Sequence, residues 1–297
     1  MNAINVQNIS KFYQQKPAIQ DVSFTVKEGE VFGFIGPNGA GKSTTIKTML
    51  DFIQPDQGTV EIFAMDHHQK AKEIRQCTSY VSSDVRFYSN LTSLQIMRVV
   101  ANSYQLSKIE QEKQFAYYIK LFSMDVTKKM NQLSLGNKKK LALACGLLTT
   151  PRLLILDEPT NGLDPLMQHR FYEELTRHRQ NGMTIFLSSH DLTEIKRQAD
   201  RAAFIKEGKI VTIEEINQEQ EGMIISITGD HLPIDAFKRI NAKVLEQDQH
   251  TVRLWYNGKR EPLFSLLVQK EIRQFTITEP ELEDRFLTLY EDKEERG

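Results

Sequence analysis

The stretch Gly36-Pro37-Asn38-Gly39-Ala40-Gly41-Lys42-Ser43-Thr44 constrains this chain more than any other. The apolar run Val31 to Ile35 before it predicts a buried strand. Ser43 to Gln54 after it predicts a helix, with Ile46, Met49, Leu50 and Ile53 at helical spacing. A strand feeding a glycine-rich loop that opens a helix is the context a P-loop requires. Its glycines let backbone N–H groups close around phosphate oxygens, and the helix N-terminus adds partial positive charge. In that arrangement Lys42 reaches the β- and γ-phosphates, and the Ser43 hydroxyl ligates Mg²⁺. The chain is expected to bind a nucleoside triphosphate.

A hydrolytic site needs carboxylates near those phosphates. Leu153-Leu154-Ile155-Leu156-Asp157-Glu158 is an apolar strand that ends in two of them. Ligands of α/β sheets bind at such strand ends. Asp157 is placed to hold Mg²⁺, and Glu158 to orient or deprotonate an attacking water. Thr184 to His190 is a second strand ending on a polar residue, which gives His190 the same relation to the sheet. A lone histidine is more often structural, and only this shared position recommends it.

The remaining segments frame these motifs. Residues 4–9 and 22–26 alternate apolar and polar as short strands do, with Lys11-Phe12-Tyr13 between them. Tyr13 reads either as an adenine-stacking ring or as an ordinary packed tyrosine. Pro55 to Gly58 is a turn, and Thr59 to Ile62 a strand. Residues 91–130 change to helical spacing, with one stripe at Leu94, Met97, Val100 and Ala101 and another at Phe115, Tyr118, Ile119 and Phe122. This predicts a helical subdomain, about 85–140, inserted in the sheet, with the aromatic stripe as its core. Leu133 to Asn137 leads into Lys138-Lys139-Lys140 and an apolar helix. The lysine triplet lacks interleaved aromatics and further basic neighbours, so it reads as a solvated helix face. Residues 166–180 form an amphipathic helix, and residues 203–211 a hairpin around Glu207-Gly208.

Composition removes several classes. With 38 basic and 39 acidic residues the chain has no strong pull on nucleic acid, and no nucleic-acid partner is expected. The longest near-continuous apolar run, Leu141 to Leu148, is far too short to span a bilayer. The first residues lack the pattern of a signal peptide. Cys77 and Cys145 sit in no metal or redox spacing, consistent with inert thiols in a reducing cytosol.

Taken in order, residues 3–215 resemble an ATP-binding cassette (ABC) ATPase. The P-loop stands as Walker A, Leu153 to Glu158 as Walker B and Leu133 to Asn137 as the signature. Asn161 to Asp164 stands as the D-loop, His190 as the switch histidine and Tyr13 as the adenine-stacking aromatic. The resemblance implies an α/β fold: a P-loop NTPase cassette with a RecA-like core, an antiparallel β subdomain and the inserted helical subdomain. It also implies ATP and Mg²⁺ as cofactors and a head-to-tail dimer, in which Ser134 and Gly136 of one subunit face the γ-phosphate held by the other. The second subunit is a like or unlike ATPase, and an integral membrane permease subunit uses the cycle. The expected location is the cytoplasmic face of the cell membrane, peripherally bound.

Two positions depart from the family pattern. Leu135 and Asn137 replace Gly and Gln in the signature, giving an S-L-G core like that of bacitracin, lantibiotic and drug exporters with separate membrane subunits. At Ser79-Tyr80-Val81-Ser82-Ser83-Asp84, Ser83 stands where a longer metal-reaching side chain is expected, and Asp84 reads equally as the holder of a coordinating water or as a residue that caps the turn or faces solvent. Residues 216–297 are expected to form an accessory α+β domain in the order β-α-β-β-α-β, the ferredoxin-like pattern. The predicted elements are strands 223–228, 243–247, 251–256 and 272–278 with helices 233–240 and 261–270. A final helix opens at Thr278-Glu279-Pro280-Glu281, with the stripe Leu282, Phe286, Leu289 and Tyr290. The functional expectation is an exporter's ATP-hydrolysing subunit, its cargo an antimicrobial or toxic amphipathic peptide or drug. The alternatives are a non-transport ABC ATPase and an importer subunit. A single P-loop and a short helical insert argue against the translation-factor and DNA-repair types.

Overall fold

The computed structural model describes residues 1–216, 222–230 and 232–280 of the chain. The chain divides into two compact units, Met1–Ile216 and Asn217–Gly297. In the first, the hairpin β1 (Asn2–Tyr13) and β2 (Lys16–Lys27) precedes β3 (Val31–Ile35) and α1 (Lys42–Met49). Next come β4 (Gln57–Ile62), β5 (Met65–Asp66), α2 (Ala71–Cys77) and β6 (Thr78–Val81). The helical insert is α3 (Ser93–Ser103), α4 (Lys108–Leu121) and α5 (Leu135–Leu148). The unit closes with β7 (Leu153–Asp157), α6 (Pro165–Gln180), β8 (Thr184–Ser189), α7 (Leu192–Gln198), β9 (Arg201–Lys206) and β10 (Lys209–Glu215).

Two sheets form from these strands. One is antiparallel, in the order β2-β1-β4-β5; the other runs β10-β9-β3-β8-β7-β6, parallel except for β10. Every residue of β3, β7 and β8 is buried, which is why Val31–Ile35, residues 153–156 and residues 185–187 carry no charged residue, while Asp157, Ser188 and Ser189 follow at the strand ends. Register then sets the site. Ile35 pairs with Ser189, Asp157 with Ser188 and Val81 with Leu156, so the loops after β3, β6, β7 and β8 leave from one edge. Phe24 of β2 lies against Phe32, Phe34 and Phe186, with centroids 5.5 to 5.8 Å away, and joins the two sheets. Each buried ring of this kind stabilises the fold by about 1.5–3 kcal/mol.

The hairpin strands run well beyond residues 4–9 and 22–26, and Lys11-Phe12-Tyr13 belongs to β1. Register shifts after Val6 and Ile9, with Asn8 and Asp21 at φ 52° and 53°, break the period-2 alternation that marks a strand in sequence. The helix after the P-loop ends at Met49 rather than Gln54, where Asp51 turns left-handed at φ 58°. In the helical insert, Thr92 with Gln95 and Ser107 with Glu110 form capping boxes that start α3 and α4. Phe115, Tyr118 and Phe122 are buried, the core role expected of that stripe.

The second unit contains β11 (Met223–Thr228), α8 (Ile234–Arg239), β12 (Lys243–Gln247), β13 (Thr251–Tyr256), α9 (Arg260–Gln269) and β14 (Phe275–Thr278). Its antiparallel sheet runs β12-β13-β11-β14. Alternate residues Ile225, Ile227, Val252, Leu254 and Tyr256 pack with Phe237, Leu263 and Leu267 of the two helices. The last strand starts at Phe275, not at residue 272, because Glu271 is left-handed (φ 53°) and Ile272 N–H donates back to Leu267 O, capping α9. Thr278, the expected start of a final helix, ends β14, and the expected stripe from Leu282 to Tyr290 lies outside the described residues.

Candidate functional site

The P-loop bends as it does because its glycines are the only residues that fit. A Cβ on Gly36 would stand 2.2 Å from Ile205 O, and one on Gly41, at φ 107°, 2.8 Å from Ala18 O. Gly39 is also left-handed at φ 82°. Helices α3, α5 and α6 begin with Thr92, Ser134 and Asp164 capping an N–H, whereas α1 begins at Gly41 with no side-chain cap. Its first N–H groups, which lack intrahelical acceptors, therefore face outward with the positive end of the helix dipole. That cradle suits a chain of phosphates.

Behind the loop, Lys42 is buried, and its Nζ donates to Gly36 O (2.7 Å) and Pro37 O (3.1 Å). The same ammonium lies 3.2 Å from Glu158 Oε1. Ser43 Oγ donates to Asp157 Oδ2 at 2.9 Å, and Ser188 Oγ to Asp157 Oδ1 at 2.7 Å. Ser43 and Asp157 thus bring two hard oxygen donors together, the chemistry that Mg²⁺ selects.

Glu158 is held at the end of β7 with φ 47°, a conformation uncommon outside glycine. Its N–H donates to Ser188 O (3.1 Å), and its Oε2 accepts from Asn161 Nδ2 (2.6 Å). His190 Nδ1 stands 3.5 Å from Oε2. Burial raises the Glu158 pKa, but the hydrogen bond and charge of Lys42, the charge of His190 and the Asn161 amide outweigh it. The carboxyl is held below its ordinary range, hence ionised.

The structure therefore gathers Lys42, Ser43, Asp157, Glu158 and His190 at one sheet edge. Tyr13 is half-exposed at the hairpin tip opposite Lys16. Ser134 and Gly136 lie at the start of α5. Ser134 Oγ accepts from Asn137 N–H at the start of α5, and Gly136 approaches the carbonyl of Gly162, where a Cβ would come within 3.0 Å.

Two sequence readings need correction. Lys139 is not on a solvated face: it is 2 % exposed, and its Nζ donates to Ser82 O (3.2 Å) and Glu158 O (3.0 Å). Position 139 shares a helix face with Leu143 and Gly146, and Gly146 lies so near β6 that a Cβ would sit 2.5 Å from Val81. That i, i+4, i+7 stripe was the available signal. Nor does Asp84 serve the metal side. It pairs in solvent with Arg86 (2.7 Å), while Ser83 Oγ donates to Asp157 Oδ2 at 3.2 Å.

Sequence reasoning also missed Ser188 and Glu194, and it placed Asn161 in the D-loop without foreseeing its hydrogen bond to Glu158. Glu194 is buried and accepts hydrogen bonds from Ser189, Tyr172 and Thr160, tying the start of the 160–164 loop to the end of β8. Burial pushes its carboxyl above the ordinary range despite those donors.

Residues 19–161 match the ABC transporter family model. The bacitracin transport ATP-binding protein of Bacillus licheniformis is 31 % identical, with 96 % of each chain covered. Among solved structures, the ATP-binding subunit of an ABC transporter superposes with a TM-score of 0.70 at 26 % identity, covering 90 % of this chain and 98 % of that one. A dimeric bacterial ABC transporter cassette gives 0.67 at 25 % identity, covering 72 % and 99 %. This chain belongs to the ABC transporter family, as an ATP-hydrolysing subunit coupled to transport.

Proposed function

We propose that the chain powers an exporter as one half of a head-to-tail ATP-sandwich dimer on a separate membrane permease. The observation that carries this reading is the meeting of β7 with the P-loop: Ser43 on Asp157 at 2.9 Å and Lys42 beside Glu158 at 3.2 Å. The uncapped backbone N–H groups at the start of α1 and the Lys42 ammonium bind the phosphates, while Tyr13 offers an exposed ring to the adenine. Ser43 and Asp157 would hold Mg²⁺, and the ion would supply charge neutralisation for the phosphates when bound. Glu158 takes the proton of the attacking water, and His190 reaches the γ-phosphate from the neighbouring strand end.

Lys42 links binding to chemistry. Its hydrogen bond to Glu158 is among the interactions that hold that carboxyl low, so turning the ammonium toward phosphate leaves Glu158 a stronger base. Ser134 and Gly136, at the N-terminus of α5, would address the γ-phosphate of the second subunit.

Among the described residues, no helix is long and apolar enough to cross a membrane. A separate permease is therefore part of this reading, and it places the chain at the cytoplasmic face. A groove of about 500 Å³ lined by Phe87, Tyr88, Leu91, Ile96 and Val99, with Tyr88 and Val99 exposed, suits an amphipathic cytoplasmic segment of that permease. The likeness to a bacitracin transport protein supports export of an antimicrobial or toxic amphipathic peptide or drug. The unit from Asn217 carries none of the site residues and is read as an accessory domain.

The test is assembly. Glu158→Gln protein with Mg-ATP should double in mass by light scattering and return to monomer with ADP. If it stays monomeric with ATP even when reconstituted with its permease, the sandwich is wrong.

A further inference from the structure

The proposed reaction leaves one buried charge unused. Lys139 lies on α5, five residues after Ser134, or about 7.5 Å along the helix axis. Its ammonium reaches two main-chain carbonyls that belong to different strand ends: Ser82 after β6, at 3.2 Å, and Glu158 after β7, at 3.0 Å. A lysine is rarely buried to 2 % exposure to fill space, because its charge loses hydration that a methionine of similar length would never need. Burial lowers its pKa, against the raising influence of Asp157, Glu158 and Glu194, so those three carboxylates help keep it charged.

We infer that Lys139 is a positioning residue for hydrolysis, clamping the Glu158 peptide in the conformation that aims its carboxylate. The left-handed φ of Glu158 has to be imposed from outside, since a side chain disfavours it. Ser188 holds the N–H of that residue, through its carbonyl and at 3.2 Å through its hydroxyl, and Lys139 holds the C=O. With both peptide groups fixed, the Cα–Cβ bond has one direction, and Lys42 and Asn161 then orient the carboxylate. Releasing the carbonyl lets the base drift, and a 1 Å misplacement of a catalytic group is worth up to about 10²-fold in rate. The same clamp ties Glu158 to the helix that begins at Ser134. In the sandwich proposed above, a shift of the signature helix against the opposite nucleotide would therefore pull on this subunit's own base and on the Ser82 loop.

The inference rests on Glu158 as the base, and the experiment separates the two. Purified full-length Lys139→Met, Lys139→Gln, Glu158→Gln and Lys139→Met/Glu158→Gln are compared by phosphate release across an ATP titration and by calorimetric Mg-ADP binding. Lys139→Met should lower kcat about 10- to 100-fold, with KM and ADP affinity within about threefold. Lys139→Gln keeps an N–H donor and should recover most of that loss. The double variant should be no slower than Glu158→Gln alone, because residues acting as one unit are not additive. A Lys139→Met enzyme within threefold of the parent overturns the inference. So does a loss that multiplies with that of Glu158→Gln, or one that follows ADP affinity. If Lys139→Met does not fold, Lys139→Ala, which also lacks the donor, takes its place in the same cycle under the same thresholds, with Lys139→Gln still expected to recover most of the loss. A fully active Glu158→Gln would instead overturn the base assignment.

Discussion

Two carboxylates of the first unit, Glu158 and Glu174, are both ionised and both held by cations, yet their surroundings differ in kind. Glu174, on α6, is 3 % exposed and saturated by partners with no other task. Its Oε2 accepts from Tyr117 OH (2.7 Å) and Arg177 Nε (3.0 Å), and its Oε1 from Tyr118 OH (3.1 Å), with His178 Nε2 at 3.1 Å. Tyr117 and Tyr118 belong to α4, so the network fastens the helical insert to the α/β core. Glu158 is held by groups that have other tasks: Lys42 in the P-loop and His190 at a strand end. A carboxylate satisfied by its neighbours builds structure, whereas one whose neighbours also face a ligand is available for chemistry.

The comparison breaks first at Glu158. Glu158→Gln should lower ATP turnover about 10²–10⁴-fold, equivalent to about 3–5 kcal/mol of barrier, with nucleotide binding intact. Phosphate release and equilibrium titration check the two halves separately. Glu174→Ala should do the reverse, taking the acceptor from Tyr117 and Arg177 and leaving the buried Tyr118 hydroxyl and His178 with only each other. Unfolding free energy should fall by about 3 kcal/mol, visible as a melting temperature lower by several degrees, while kcat per folded molecule holds. If Glu174→Ala lost activity at unchanged stability, the network would be functional and the contrast would be wrong.

Acid sharpens the same contrast at smaller amplitude. Burial raises the Glu174 pKa, but His178, Arg177 and Tyr117 hold it far below the ordinary 4.5. A carboxylate whose pKa is lower folded than unfolded contributes its full stability above the unfolded value. That contribution is lost as pH falls through the folded value. Melting temperature of the parent should therefore decline steeply below about pH 4.5, and the Glu174→Gln profile should decline less. Parallel profiles would remove Glu174 from the acid response.

How far this was readable in sequence follows from range. The P-loop and the Leu153–Glu158 strand are local: strand, turn and helix each follow from neighbouring residues, and parallel pairing brings their ends together. Lys139 was hidden because a lysine triplet read by itself looks the same whether its middle member faces water or β6, and the stripe through Leu143 and Gly146 that separates the two lies beyond it, where Gly146 meets Val81. The length of the first hairpin was hidden by bulges, where side-chain alternation slips out of phase. Glu174 was hidden because its partners come from α4, more than fifty residues away. Ser83 and Asp84 differ by one position in a loop, and nothing local says which of them turns inward.

That loop gives the smallest expected effect. Ser83 Oγ donates to Asp157 Oδ2 at 3.2 Å, but the same oxygen accepts the shorter bond from Ser43 at 2.9 Å. Asp157 Oδ1 is independently fixed by Ser188 at 2.7 Å. Two serines thus orient the carboxylate after the third is removed. Residue 83 is exposed, so water replaces its hydroxyl at little cost. Mg²⁺ keeps several waters in any case and does not require a direct ligand from this loop. Ser83→Ala should therefore change kcat less than about threefold, under 1 kcal/mol of barrier, with a modest rise in the Mg²⁺ concentration needed for half activity. Asp84→Asn should change neither, because its partner is the exposed Arg86. Steady-state ATPase rates across a magnesium titration measure both. An Asp84→Asn enzyme with a strongly raised magnesium requirement would return that residue to the metal side. If Ser83→Ala abolished turnover, the serine would be a direct metal ligand, and the loop would resemble the Glu158 cluster rather than its surroundings.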